Sequence, residues 1–303
     1  MKLQIKMISV LFLLLALLGA DSEASVKKGA TMENSVVIQN DNFLSETIPI
    51  TFDRQYGFLP VVEIKILNKT AHLIVDTGAD WVILGLKPSV LESLDQKYFI
   101  RGKKSVDVFG KKYQEKCFNI PSAKLGNLEL SNVTASEELR SFVPEDGIIG
   151  GGLLKRFHIL FDYPASKVVL YPKCSYPQEL DLAGWLKVPF IHNKIGILIE
   201  GKLGKDGKKM KFCFDSGYGA AIERDKSVGM IQPQRAGLAL KGISYIQTEH
   251  FYLGDVDLGP MGFMVHENKQ PPVSGFIGHN ILVNYQVFID FDKQCLFLKR
   301  SQK

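Results

Sequence analysis

Two stretches of this chain repeat one pattern. "HLIVDTGADWVIL" (72–84) and "KFCFDSGYGAAI" (211–222) each run from apolar residues into an acid, a hydroxyl residue and a glycine, then return to small and apolar residues. A second pair follows in the same order: "DGIIGGGLLKRFHILFDYPASKVVLYP" (146–172) and "SGFIGHNILVNYQVFIDFDKQCLFLKR" (274–300) align Gly150 with Gly278 and Asp162 with Asp290. Each half therefore carries a strand pair, an acid-hydroxyl-glycine turn, a long β-like stretch, an apolar-apolar-glycine element and a short helix. Such a repeat constrains the chain to two related units, because each element must pack alike in both.

The local signals are those of a β protein. "PVVEIKI" and "AHLIV" are β-branched and apolar, parted by the turn "LNKT". "GILIEGKL" and "KMKFCF" flank "GKDGKK", whose Asp206-Gly207 is a strong hairpin signal. That stretch faintly resembles a phosphate loop but lacks the Walker spacing, and a hairpin is the reading adopted. "KPSVLESLD", "GLLKRF" and "HNILVNY" read as short helices, the first with Pro88 near its start. Residues 171–185, rich in Pro and turn residues, fit a crossing between units. The expected layout is 46–174 and 175–303, two related β-barrel-like lobes about a pseudo-twofold axis, in an all-β fold with few short helices.

The opening residues bear on location. Lys2 and Lys6 precede an apolar run from Met7 to Ala20, the layout of a secretory signal peptide over 1–24, followed by an extension over 25–45. The run is shorter than the ~20 residues of a spanning helix. The expectation is a secreted or periplasmic protein without stable membrane insertion, a membrane anchor being the weaker alternative. Export makes Cys117, Cys174, Cys213 and Cys295 candidates for disulfides, with the pairing open; a buried free thiol at Cys213 is equally consistent. Asn68-Lys69-Thr70 and Asn132-Val133-Thr134 are glycosylation sequons.

Several function classes lack support. The net charge of +5 comes from scattered Lys and Arg, which makes no case for nucleic-acid binding. The six histidines form no His-Glu-x-x-His and no evident ligand pair, so neither a metal nor another cofactor is expected. There is no Gly-x-Ser-x-Gly elbow. "GIIGGG" lacks a surrounding βαβ unit and reads as packing glycine.

What remains is the pair of acid-hydroxyl-glycine turns. Taken alone, an Asp-Thr-Gly is an ordinary turn sequence. Two of them in related halves would meet face to face, bringing Asp76 and Asp215 into one site. Two adjacent carboxylates cannot both ionise comfortably and hold one proton between them, as in the aspartic proteases. The ionised acid can take a proton from an attacking water, while the protonated one donates to the carbonyl oxygen. Thr77 and Ser216 can reach across to lock the turns together, and Gly78 and Gly217 let backbone approach the carboxylates.

These residues resemble the pepsin/retropepsin superfamily of aspartic proteases, in the single-chain two-lobed form, over about 45–300. "IVDTGAD" is close to the retropepsin pattern, "FDSG" is an accepted variant of the second motif, and "IIG" and "FIG" match the element that packs on the catalytic loops. The resemblance implies an aspartic endopeptidase with Asp76 and Asp215 as catalytic pair, a peptide or protein substrate, and a monomer, since one chain carries both lobes. It also implies substrate contact by Ala79 and Asp80, although Asp80 reads equally well as an ion-paired surface acid. A flap hairpin is expected in "KKSVDVFGKKYQEKCF", with Phe109 and Gly110 at its turn; "RAGLALKGISYI" occupies the equivalent place in the second half, and whether there are one or two flaps stays open. Ile83, Phe109, Tyr218 and Ile222 are candidate walls of apolar pockets. Three features depart from the family pattern: Tyr218-Gly219 after the second motif, an extension too short for a pepsin-style propeptide, and the unmatched "ERDKSVGMIQPQR". The rival reading is an inactive protease-like scaffold that binds peptides or a partner protein.

Overall fold

A computed structural model describes residues 36–39, 43–53, 59–80, 82–92, 94, 96–106, 112–140, 143, 145–173, 177, 180–218, 228–231, 245–265 and 273–301. The expected signal segment, Trp81, Phe109, Gly110, Cys174, Ile222 and most of the second flap candidate lie outside the described residues. Strands dominate, and the described α-helices are three single-turn segments, Pro88–Leu91, Gly151–Leu154 and His279–Leu282. All three fall where the sequence places a short helix, and Pro88 occupies the first turn, where its missing N–H costs nothing. None of them is long and apolar enough to cross a membrane.

The described strands form two nine-stranded sheets and one six-stranded sheet, and among the described residues none is a clear barrel. The hairpins expected from the sequence are present. Leu59–Ile66 pairs antiparallel with Lys69–Asp76 through the turn at Leu67, and Gly196–Leu203 pairs with Met210–Asp215 across Asp206-Gly207. The strand that ends in each acid also gains a parallel neighbour. Gly147–Gly150 runs beside Lys69–Asp76 with Gly150 opposite Asp76, and Gly275–Gly278 runs beside Met210–Asp215 with Gly278 opposite Asp215. Both neighbours are buried on each face, which is why they read as unbroken apolar-glycine runs rather than alternating ones.

The six-stranded sheet takes three strands from each half. Phe157–Asp162 and Tyr285–Asp290 pair antiparallel at its centre, with Leu160 opposite Phe288. The aligned acids Asp162 and Asp290 both work as turn formers. Asp162 accepts from the Ala165 N–H, and Asp290 from those of Asp292 and Lys293. One large hydrophobic core draws on both halves, and in the second half it includes Phe212, Phe251 and Phe263, whose ring centroids lie 4.9–6.0 Å apart. The disulfide expectation is not met for three of the four cysteines: Cys117, Cys213 and Cys295 are free and buried.

Phe288 is fully buried where the halves pair and touches the rings of Tyr171 and Phe297. Phe288→Ala should cost about 3–5 kcal/mol by opening a cavity there. Denaturant titration followed by fluorescence checks this; an unchanged midpoint would show that the halves do not depend on that junction.

Candidate active site

The two acids sit at the ends of strands Lys69–Asp76 and Met210–Asp215, and both are fully buried. Each strand delivers its acid into a turn that folds back on the carboxylate. The Ala79 N–H donates to Asp76 Oδ1 at 2.9 Å, and the Gly217 N–H to Asp215 Oδ1 at 2.9 Å. The remaining oxygen of each, Oδ2, is buried and receives no bond from a donor among the described residues. The two carboxylates lie within hydrogen-bonding reach of each other, which calls for a proton between them.

Thr77 and Ser216 join the turns by a reciprocal exchange. The Thr77 N–H donates to Ser216 Oγ at 3.1 Å, and the Ser216 N–H donates to Thr77 Oγ1 at 2.9 Å. Each hydroxyl then donates onward across the junction, Thr77 Oγ1 to the Phe214 carbonyl at 3.2 Å and Ser216 Oγ to the Val75 carbonyl at 2.7 Å. Every hydroxyl thus accepts one bond and donates one, with no buried polar atom of the pair wasted. Gly78 and Gly217 are required by close approach. A Cβ on Gly78 would stand 2.2 Å from Asp215 Oδ2, and one on Gly217 2.5 Å from Asp76 Cγ. Each glycine packs against the opposite half's carboxylate.

Burial drives the Asp76 carboxyl up to about 7, against the lowering pull of the Ala79 N–H, the Arg140 charge, Asp215 and the Gly78 N–H. Asp215 is raised well above the usual carboxylate range, first by burial and then by the negative charge of Asp76. The pair therefore keeps a shared proton well above the pH at which a free carboxyl loses it.

The other expected site residues are placed as follows. Ala79 is buried beside Asp76 in a small apolar cluster with Leu59, Val61, Ile74, Val82, Val143 and Ile148. Asp80 is buried and bonded on both oxygens, Oδ1 to His192 Nε2 at 2.5 Å and Oδ2 to Lys155 Nζ at 3.1 Å. Burial would raise its carboxyl, but His192 and Lys155 outweigh that and hold it below the ordinary value. Tyr218 is fully buried, stacked on Phe276 at 5.9 Å between ring centroids, so it supports the second turn from beneath. Ile83 belongs to the large core. The flap candidate has its two strands, Phe99–Val106 and Lys112–Leu125, paired antiparallel; the turn with Phe109 and Gly110 lies outside the described residues. Among the described residues no group of three His, Cys, Asp or Glu could hold a metal ion.

Sequence reasoning missed four residues near this site. His192 comes from the second half and Lys155 from beyond the helix Gly151–Leu154, and together they brace Asp80. Arg140 and Glu138 form a buried ion pair in which Arg140 Nε donates to Glu138 Oε1 at 2.6 Å and a second guanidinium nitrogen reaches Oε2. None of the four lies in a motif, and only long-range pairing brings them in. No family model matches this chain, and neither does any curated protein.

Two outcomes follow from this geometry. Thr77→Val removes one acceptor and one donor and leaves the buried Ser216 N–H unpaired, so it should cost about 1–3 kcal/mol; additivity with Ser216→Ala in a double-mutant cycle would show that the exchange is not cooperative. The pH dependence has a definite sign. Both acids are raised in the folded state, so the stability they contribute is fully present below the ordinary carboxylate range and is lost as pH rises through their folded values, about 7 for Asp76. Asp215→Asn can still accept the Gly217 N–H but cannot ionise, and its melting temperature should fall less than the wild type's between pH 4 and pH 8. Equal slopes would mean that the pair is not perturbed by burial.

Proposed function

We propose that this protein is an exported aspartic endopeptidase that hydrolyses peptide bonds with water activated by Asp76 and Asp215. The observation that carries the reading is the reciprocal Thr77–Ser216 exchange, which brings two buried carboxylates into hydrogen-bonding reach. The recurrence of strand pairings around each acid supports two related lobes about a pseudo-twofold axis, with the substrate between them.

In this mechanism a water held between the carboxylates gives a proton to the ionised acid as its oxygen attacks the peptide carbonyl. The protonated acid donates to the carbonyl oxygen as negative charge builds there. Collapse of the tetrahedral intermediate returns a proton to the amine as the C–N bond breaks, and the pair again holds one proton. An extended peptide suits a cleft lined by strands, where main-chain hydrogen bonds hold it and alternate side chains enter pockets. The scaffold reading draws less support: both acids, hydroxyls and glycines are in place, and Tyr218 packs on Phe276.

Asp76→Asn and Asp215→Asn should each lower peptide cleavage by ~10³-fold or more while the circular dichroism spectrum is kept. Cleavage by the wild type should follow a bell in pH whose limbs belong to the pair, the acidic limb following ionisation of Asp76, raised to about 7, and the alkaline limb loss of the remaining proton from Asp215. A folded Asn variant with near-normal turnover, or a rate that climbs steadily into the alkaline range, would sink the two-aspartate mechanism.

A further inference from the structure

The two acids stand in unlike surroundings. Strand alternation puts Ile74 and Asp76 on one face of their sheet. Ile148 lies opposite Ile74, and Gly85 opposite Ile148, so this face continues across three strands. Gly85 has no side chain, and the Glu138 carboxylate occupies the space above it: a Cβ there would meet Ile148 at 2.9 Å and Glu138 Oε2 at 3.4 Å. Glu138 is fully buried, and its backbone N–H is tied to the Leu86 carbonyl at 2.7 Å. It holds the Arg140 guanidinium through two nitrogens, and the Arg140 N–H also donates to Glu138 Oε1 at 2.9 Å. The Arg140 carbonyl is fixed in turn by Lys87 Nζ and by the Val143 N–H, and Val143 packs in the apolar cluster with Ile74 and Ala79. A buried cation is thereby clamped on the face of the sheet that carries Asp76.

We propose that Arg140, clamped by Glu138, is a positioning residue that keeps the negative charge of the aspartate pair on Asp76 and the shared proton on Asp215. The assignment rests on the two-aspartate reading and gives the carboxylates separate roles: Asp76 accepts the proton of the attacking water, and Asp215 donates to the carbonyl oxygen. The groups acting on Asp76 are Arg140 and, across the junction, Asp215, with the Ala79 and Gly78 N–H groups. Arg140 answers to Glu138, Glu115 and Asp76. Lys87 faces Glu138 and Arg140, and Lys103 faces Glu115 at 3.2 Å. On the other side the groups acting on Asp215 are Asp76 and the Gly217 and Gly78 N–H groups, and no cation acts on it among the described residues. Tyr218 and Cys213 are neutral neighbours there.

The test titrates full-length protein labelled with ¹³C at aspartate Cγ, with the two signals assigned through Asp76→Asn and Asp215→Asn. In the wild type the Asp76 carboxyl should ionise first as pH rises. Arg140→Met paired with Glu138→Gln avoids a lone buried charge; it should delay Asp76 ionisation by roughly one pH unit and move the acidic limb of kcat/KM upward by the same amount. Arg140→Lys, which keeps the charge, should restore most of the wild-type order. A residue with a purely structural role would lower the rate equally at every pH and leave both titrations in place, and that result overturns the proposal. So does a wild type in which Asp215 ionises first. Should the wild type cleave no peptide at all, the proposed function fails, and the NMR order still decides the charge assignment.

Discussion

Everything in this molecule is arranged to make one costly placement tolerable: two carboxylates buried side by side. An isolated buried carboxylate costs several kcal/mol even after relaxation. Here one oxygen of each acid is satisfied by a backbone N–H of its own turn, and each turn is fastened to the other by Thr77 and Ser216. Bonds to charged acceptors are worth about 1.5–3 kcal/mol each, so two of them offset only part of the penalty. The rest is avoided, not compensated, because one proton held between the acids removes one of the two charges. Protonation state and hydrogen-bond geometry are therefore a single solution, and neither half could reach it alone.

Such a solution needs stiff supports. The acids end strands that are paired on both sides, and a parallel apolar-glycine strand lies beside each. The six-stranded sheet then ties the halves through Phe157–Asp162 and Tyr285–Asp290. Sites built on strands in the middle of sheets hold their geometry better than sites on loops. The second hairpin adds a further brace. Its Gly196 lies near the Thr77 carbonyl, where a Cβ would be only 3.7 Å away, and its neighbouring strand Ile191–Asn193 sends His192 across to Asp80.

How much of this could be read from the sequence follows from how each feature is encoded. The acid turns, Asp206-Gly207 and Pro88 were legible because turn and cap chemistry is local and residue-specific. The apolar-glycine strands were legible through repetition, since the same backbone demand recurs with the same residue types. His192, Lys155, Arg140 and Glu138 left no such trace, because ion pairing depends on where distant segments arrive, and Lys, Arg and Glu are usual on surfaces. Tyr218 misled for a related reason. Its position after Asp-Ser-Gly suggests a pocket wall, yet the turn aims it inward, onto Phe276. Its direction is set by the fold of the turn, not by its neighbours in the chain.

The repeat also explains why the two acids differ. Related halves preserve what the shared geometry requires, namely the acid, the hydroxyl and the glycine, and they leave the flanks free to diverge. In the first half the flank is ionic, with Lys155 on Asp80 and Glu138 on Arg140. In the second half the described flank is apolar, with Leu198, Cys213, Tyr218, Val273 and Phe276 packed together. A cation near one carboxylate and hydrocarbon near the other push their protons in opposite directions. The same strand pairings beside each acid thus bring the pair together, while the surroundings differ, with the Arg140 charge acting on Asp76 and an apolar cluster packed behind Asp215.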